Sequence, residues 1–196
     1  MSMLTDQELL SAAGRGDEGA FALLVERHHR AVIHFIHRFL STADRATAED
    51  LAQQVLLSAW KYARTFQPRA KVRTWLFKIA TNVCLNYRRY ERLRSRTPET
   101  VYVHRSRYDD GTQGADAPLA EEERACRLRT AIAALPPNQR AAIVLRHFHE
   151  FSYAEIAEII GCSVSAVDSL LHRARRALCE DLGLKKDGNS PQVSAL

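Results

Sequence analysis

The chain has no long hydrophobic run. Its most apolar stretches, residues 141–145 among them, are a few residues long, far below the roughly 20 that a bilayer-crossing helix requires, so membrane insertion is excluded. Cysteine is scarce as well. Cys84, Cys126, Cys162 and Cys179 are widely spaced, form no Cys-x-x-Cys pair and are too few for a disulfide scaffold, so they read as reduced and mostly structural. The first ten residues carry Asp6 and Glu8 where a secretory leader needs a basic stretch followed by an apolar one, and a cytoplasmic location is expected. Phosphate-cradling glycine loops and nucleophile motifs are missing too. His34 with His37, or His147 with His149, suggest part of a metal centre, but no third and fourth ligand of suitable spacing lies near. Neither a metal nor another cofactor is expected, and an enzyme is the least favoured class. What remains is 196 residues, 46% of them hydrophobic and 26% charged, which suffices for one ordinary domain or two small helical ones and excludes a disordered tail.

The charge is segmented. Residues 1–60 hold 5 basic and 8 acidic side chains, whereas residues 61–107 hold 13 basic and 2 acidic. Residues 108–123 then carry 6 acids and no base, and residues 124–196 carry 10 bases against 7 acids. A basic block of that density can neutralise several phosphates and release their counterions, the main sequence-independent source of nucleic-acid affinity. A solvated basic face is the plainer alternative.

Apolar periodicity is helical throughout. Thr5 with Glu8 forms a capping-box pattern for a short first helix. Asp17 can cap a second, whose Phe21, Leu24, Val25, Val32, Phe35, Ile36 and Phe39 recur at three- and four-residue spacing. Thr47 opens a third, with Leu51, Val55, Leu56, Ala59 and Tyr62 on one stripe, and Gln67-Pro68 breaks the pattern. A loop over residues 65–73 leads to a fourth helix from about Thr74. It buries Trp75, Leu76, Ile79, Ala80, Val83 and Tyr87 and turns Lys78, Asn82, Asn86, Arg88 and Arg89 toward other faces.

From residue 93 to residue 120 the periodicity disappears into Ser, Thr, Gly, Asp and Pro, which reads as a flexible acidic linker. Helical spacing returns over residues 121–135 with Ala125, Leu128, Ile132 and Leu135, and Pro136-Pro137 separates that helix from one with Ala141, Val144, Leu145 and Phe148 inward. The expected organisation is all-α: a helical domain over residues 1–92, a linker over 93–120, a second small domain over 121–183 and a disordered tail over 184–196.

Ser152-Tyr153-Ala154-Glu155 is a second capping box, opening a helix with Ile156, Ala157 and Ile160 inward that ends at Gly161. Ser163 can cap the next, whose Val164, Val167, Leu171, Ala174 and Leu178 step by three and four. Helix, three-residue turn and helix make a helix-turn-helix, in which the second helix enters the DNA major groove. Ser165, Ala166, Asp168, Ser169, His172, Arg173 and Arg176 lie on its outer side. Asp168 is either solvent-facing or an acceptor for the exocyclic amine of cytosine.

In this order the parts resemble a bacterial sigma factor of the extracytoplasmic-function (ECF) group, the reduced kind with only the second and fourth regions of the sigma-70 family. Gly16-Asp17-Glu18-Gly19-Ala20-Phe21 with Leu24 is similar to the opening of region two, and residues 48–55 through Trp60 to its polymerase-binding helix. Residues 74–82 (TWLFKIATN) are similar to the segment that opens and reads the upstream melted element. Residues 135–140 (LPPNQR), 151–157 (FSYAEIA) and Ser169 with His172-Arg173-Ala174-Arg175 resemble region four. At Ala166, Asp168 and Leu170 the family commonly has threonine, lysine and arginine, so the exact base contacts differ from the family pattern there while the fold does not.

The resemblance implies a protein that binds core RNA polymerase and directs promoter-specific initiation under anti-sigma control, with the linker threading toward the polymerase active centre. It implies that Asp50, Leu51, Gln53 and Gln54 dock on the polymerase, and that residues 65–73 with Asn82 and Asn86 form the surface where a melted promoter base is captured. Unstacking a base costs a few kcal/mol, which aromatic faces and amides offset. Phe66 and the asparagines are the better candidates, with Tyr62 and Phe77 beside the loop, while Trp75 on the apolar stripe reads as core. Arg64, Arg69, Lys71, Arg73, Lys78, Arg88, Arg89 and Arg92 would hold phosphates, or face solvent. The linker spans about 90 Å extended and about 30 Å as a coil, whereas duplex elements two helical turns apart are separated by about 68 Å. A large scaffold must therefore hold the two modules apart, and free in solution they can fold back together. A stand-alone helix-turn-helix regulator is the alternative.

Overall fold

A computed structural model of the chain describes residues 4–41, 44–66, 71–94 and 119–183, and among these all regular structure is helical. The order is α1 (Asp6–Gly14), α2 (Glu18–Leu40), α3 (Arg45–Tyr62), a 3-10 turn (Ala63–Thr65), α4 (Val72–Arg94), α5 (Leu119–Ala134), α6 (Pro137–Phe148), α7 (Tyr153–Ile160) and α8 (Val164–Asp181). No helix among the described residues is long and apolar enough to cross a membrane.

Caps set these boundaries. Thr5 and Glu8 close both halves of the first capping box, Asp17 accepts from the Ala20 amide, and Ser152 with Glu155 repeats the box at α7. Helix α3 starts earlier than the sequence suggests, because Asp44, not Thr47, is its cap and accepts from the Thr47 amide at 2.7 Å. Helix α4 likewise begins at Val72, which takes Arg73 out of the expected loop, and it runs on to Arg94; Leu93 and Arg94, like Leu119 and Ala120, are helical. Residues 67–70, 95–118 and 184–196, with the Gln67-Pro68 break, most of the proposed linker and the tail, lie outside the described residues.

Helices α2, α3 and α4 pack side by side around Phe35, Phe39, Leu51, Val55 and Phe77, with α1 closing one end over Leu9, Leu10 and Leu24. Gly14 permits that closure: a Cβ there would sit 3.0 Å from the Ala63 carbonyl oxygen. In the second half α7 and α8 pack on α6 and α5 lies against α8, and Gly161, at φ 79°, makes the left-handed turn between α7 and α8.

The two halves share one core. Helix α4 packs on α7 and α2 on α6, so that the buried cluster runs without interruption from Phe35, Phe39 and Phe77 to Phe151, Ile156 and Leu145. Arg140 ties the joint. Fully buried at the start of α6, it donates to the Phe39 carbonyl at the end of α2, 2.9 Å away, and to the Ala133 and Leu135 carbonyls at the end of α5. Two helix C-termini thus direct their negative ends at one guanidinium. Several inward assignments shift accordingly. Phe77 lies in the core and not beside the loop, Tyr62 and Val164 are exposed, and Trp75 is half-buried.

Candidate nucleic-acid interface

Three surfaces gather the residues singled out by the sequence. On α3, Asp50, Gln53 and Gln54 are exposed on one stripe, as i, i+3 and i+4 spacing demands. Leu51 is not part of it: at 3% exposure it belongs to the core, because the stripe facing α2 and α4 passes through positions 48, 51, 52, 55 and 59. Leu57 takes its place. It sits one turn beyond Gln53 and Gln54, is 68% exposed, and flanks an apolar groove formed by Phe21, Val25, Leu56 and Trp60. The Leu56-Leu57 doublet carried a partial signal, since Leu57 falls off the stripe through positions 48, 51, 52, 55 and 59 that faces the core.

The second surface is α4. Lys78, Asn82, Asn86 and Arg89 are exposed at successive turns, a line of two cations and two amides about 16 Å long at 1.5 Å per residue. Arg88 is half-buried, and its charge, with that of Arg92, helps burial lower the Arg140 pKa to about 10. At the N-terminal end of the line, Phe66 packs edge-to-face on Trp75 with ring centres 5.3 Å apart, both half-buried. Arg69 falls outside the described residues. Lys71 and Arg73 are turned to the other half of the molecule: Lys71 pairs with Glu155 at 2.9 Å, and Arg73, half-buried, donates to the His149 backbone carbonyl. In this conformation Arg73 is held at the joint, while Lys71 is paired with Glu155 but remains largely exposed.

The third surface is the outer side of α8 from Ser165 to Arg176. Ser163 accepts from the Ala166 amide, and Ser165, Asp168, Ser169, His172, Arg173 and Arg176 are exposed around it, with Ala166 half-buried. Ser169 Oγ donates to the Ser165 carbonyl and Arg173 Nε to the Ser169 carbonyl at 3.2 Å, while Arg176 pairs loosely with Glu180. Arg175 departs from its neighbours: it is half-buried and reaches the Tyr153 hydroxyl. Among the described residues no group of three or more His, Cys, Asp or Glu side chains is placed to hold a metal.

Comparison with known proteins matches these parts in the same order. Residues 24–94 match the family described as Sigma-70 region 2, and residues 127–178 match Sigma-70, region 4. The ECF RNA polymerase sigma-E factor of Escherichia coli K12 is 32% identical over 181 residues, spanning 89% of this chain and 93% of that protein. The sigma-E factor of Haemophilus influenzae is 32% identical over 180 residues, 89% and 94% of the two chains. Among solved structures, CnrH in complex with the cytosolic domain of CnrY aligns over 91% of this chain and 97% of that one, with TM-score 0.67 and 25% identity. The sigma factor RpoE in complex with the anti-sigma factor NepR from Bartonella quintana aligns over 85% and 98%, with TM-score 0.64 and 26% identity. A shared helical architecture, both regions in their expected order and identity of this extent along nearly the whole chain establish that it belongs to the ECF RNA polymerase sigma factor family.

Proposed function

We propose that the three surfaces divide the work of a sigma factor among them. Asp50, Gln53 and Gln54, joined by Leu57 in place of Leu51, dock on core RNA polymerase. Phe66, Lys71, Arg73, Lys78, Asn82, Asn86 and Arg89, with Arg69 and Arg88 beside them, bind and capture the melted promoter strand. Ser165, Ala166, Asp168, Ser169, His172, Arg173 and Arg176 face the major groove of the upstream element. The cations hold phosphate and set register, while the amides, hydroxyls and Asp168 meet base edges. The protein performs no chemistry of its own, and an anti-sigma factor restrains it, as NepR is bound to the sigma factor RpoE in one of the two similar structures.

One observation carries this reading: the exposed amide-and-cation line of α4 and the exposed face of α8 lie in separate halves of the chain, each within its own matched region. Two separated DNA-facing surfaces suit two promoter elements better than one operator. Run-off transcription with purified core polymerase on a genomic template library tests it. Selective initiation only when this protein is added is the expected result. Tight duplex binding without polymerase, and no effect on initiation, would make it a stand-alone regulator.

A further inference from the structure

We infer that the free protein closes on itself through a mimic of DNA: the corner between α6 and α7 occupies the strand-binding end of α4 and must leave before a promoter strand can enter. The inference rests on the assignment of Lys71 and Arg73 to the strand. Three kinds of group from the corner meet those two cations. The Glu155 carboxylate lies 2.9 Å from Lys71 Nζ, the His149 backbone carbonyl accepts from Arg73, and the Phe151 ring lies under the Arg73 guanidinium with its centre 4.2 Å from Cζ. A single strand offers the same set: a phosphate oxygen, a base-edge oxygen and an aromatic face for an arginine to stack on.

The corner is held in shape for this contact. Glu150, between His149 and Phe151, has φ 56°, a left-handed conformation that a non-glycine residue adopts only when its surroundings impose it. Phe151 is seated edge-to-face on Phe77 of α4, with centres 4.9 Å apart, and the His149 ring packs on Phe77 and Phe35. Glu155 stays ionised because the Ser152 amide and Lys71 both bond to its carboxylate. Strand binding and closure therefore compete for the same two cations.

The test is the affinity of the full chain for a fluorescent pool of degenerate 12-nucleotide single-stranded DNA, read by anisotropy. Glu155→Gln keeps the capping box of α7 but loses the charge that holds Lys71. Glu158→Gln, on the exposed face of the same helix with no ion pair among the described residues, controls for the loss of one acid. Glu155→Gln should tighten binding about two- to fivefold beyond Glu158→Gln, the range expected for one largely exposed ion pair. Adding Lys71→Ala should abolish that difference. Equal affinities for the two glutamine variants, with Lys71→Ala and Arg73→Ala weakening both, would overturn the closure while leaving the strand assignment standing. If Lys71→Ala and Arg73→Ala leave affinity unchanged in every background, the strand assignment itself falls, and the mimic with it.

Discussion

Replacing Arg140 with leucine tests whether one core joins the two halves. The guanidinium satisfies carbonyls of Phe39, Ala133 and Leu135, which leucine cannot bond. Each charge-assisted bond contributes about 1.5–3 kcal/mol, so the three together are worth about 5–9 kcal/mol. Against this stands the cost of burying the cation. Desolvation pulls its pKa down to about 10, roughly two units at about 1.4 kcal/mol each, so leucine recovers about 3 kcal/mol. The net loss is about 2–6 kcal/mol, enough to lower Tm by about 4–24 °C in a chain of this size. Calorimetry should show a single transition that moves as a whole, since Phe39 belongs to one half and Ala133 to the other. A loss below about 1 kcal/mol, or two transitions of which only one shifts, would refute the shared core.

Three further outcomes follow from the same geometry. Burial, with Arg73, Arg38 and His34 nearby, lowers the His149 pKa from 6.5 to about 3, so the native state stays neutral while the unfolded chain takes up a proton. Stability is therefore complete above about pH 6.5 and declines as pH falls toward 3, by about 2 kcal/mol at pH 5, and His149→Phe should flatten urea-unfolding curves over that window. Leu57→Ala should weaken core-polymerase affinity about tenfold, the transfer free energy of one buried leucine, and Asp50→Ala with Gln53→Ala should weaken it too; surface plasmon resonance on immobilised core measures both. Asn82→Ala and Phe66→Ala should each reduce open-complex formation about tenfold, followed by permanganate reactivity of promoter thymines, with core binding intact.

The helices were legible because their caps and apolar stripes are local. Thr5, Asp17, Ser152, Gly161 and Ser163 all act where the sequence places them. The contact between the halves was not, because its signals are ambiguous at short range. Helix α4 has apolar or small residues on two adjoining stripes, and the burial of Phe77 and Cys84 in preference to Trp75 and Val83 depends on partners, α7 among them, that lie far along the chain. Helix α6 is buried on every side from residue 140 to residue 145, which its five consecutive apolar residues hinted at, whereas nothing local marked Arg140 as buried. Of the candidate interface, exposed residues at i, i+3 and i+4 spacing were readable from periodicity. That Lys71 and Arg73 would be engaged across the interface was not, since an ion pair 84 residues apart in sequence leaves no periodic trace.

The most direct measurement is the distance between the halves, free and on a promoter. Spin labels at Ser11→Cys in α1 and Glu180→Cys in α8, with the accessible native cysteines replaced, report it by pulsed electron resonance. The free protein should give one short, narrow distribution, and addition of core polymerase with promoter DNA should lengthen it toward the about 68 Å that separates duplex elements two helical turns apart. A distribution unchanged by polymerase and promoter would mean that the joined form is the working form, and that two elements are not read by two separated halves.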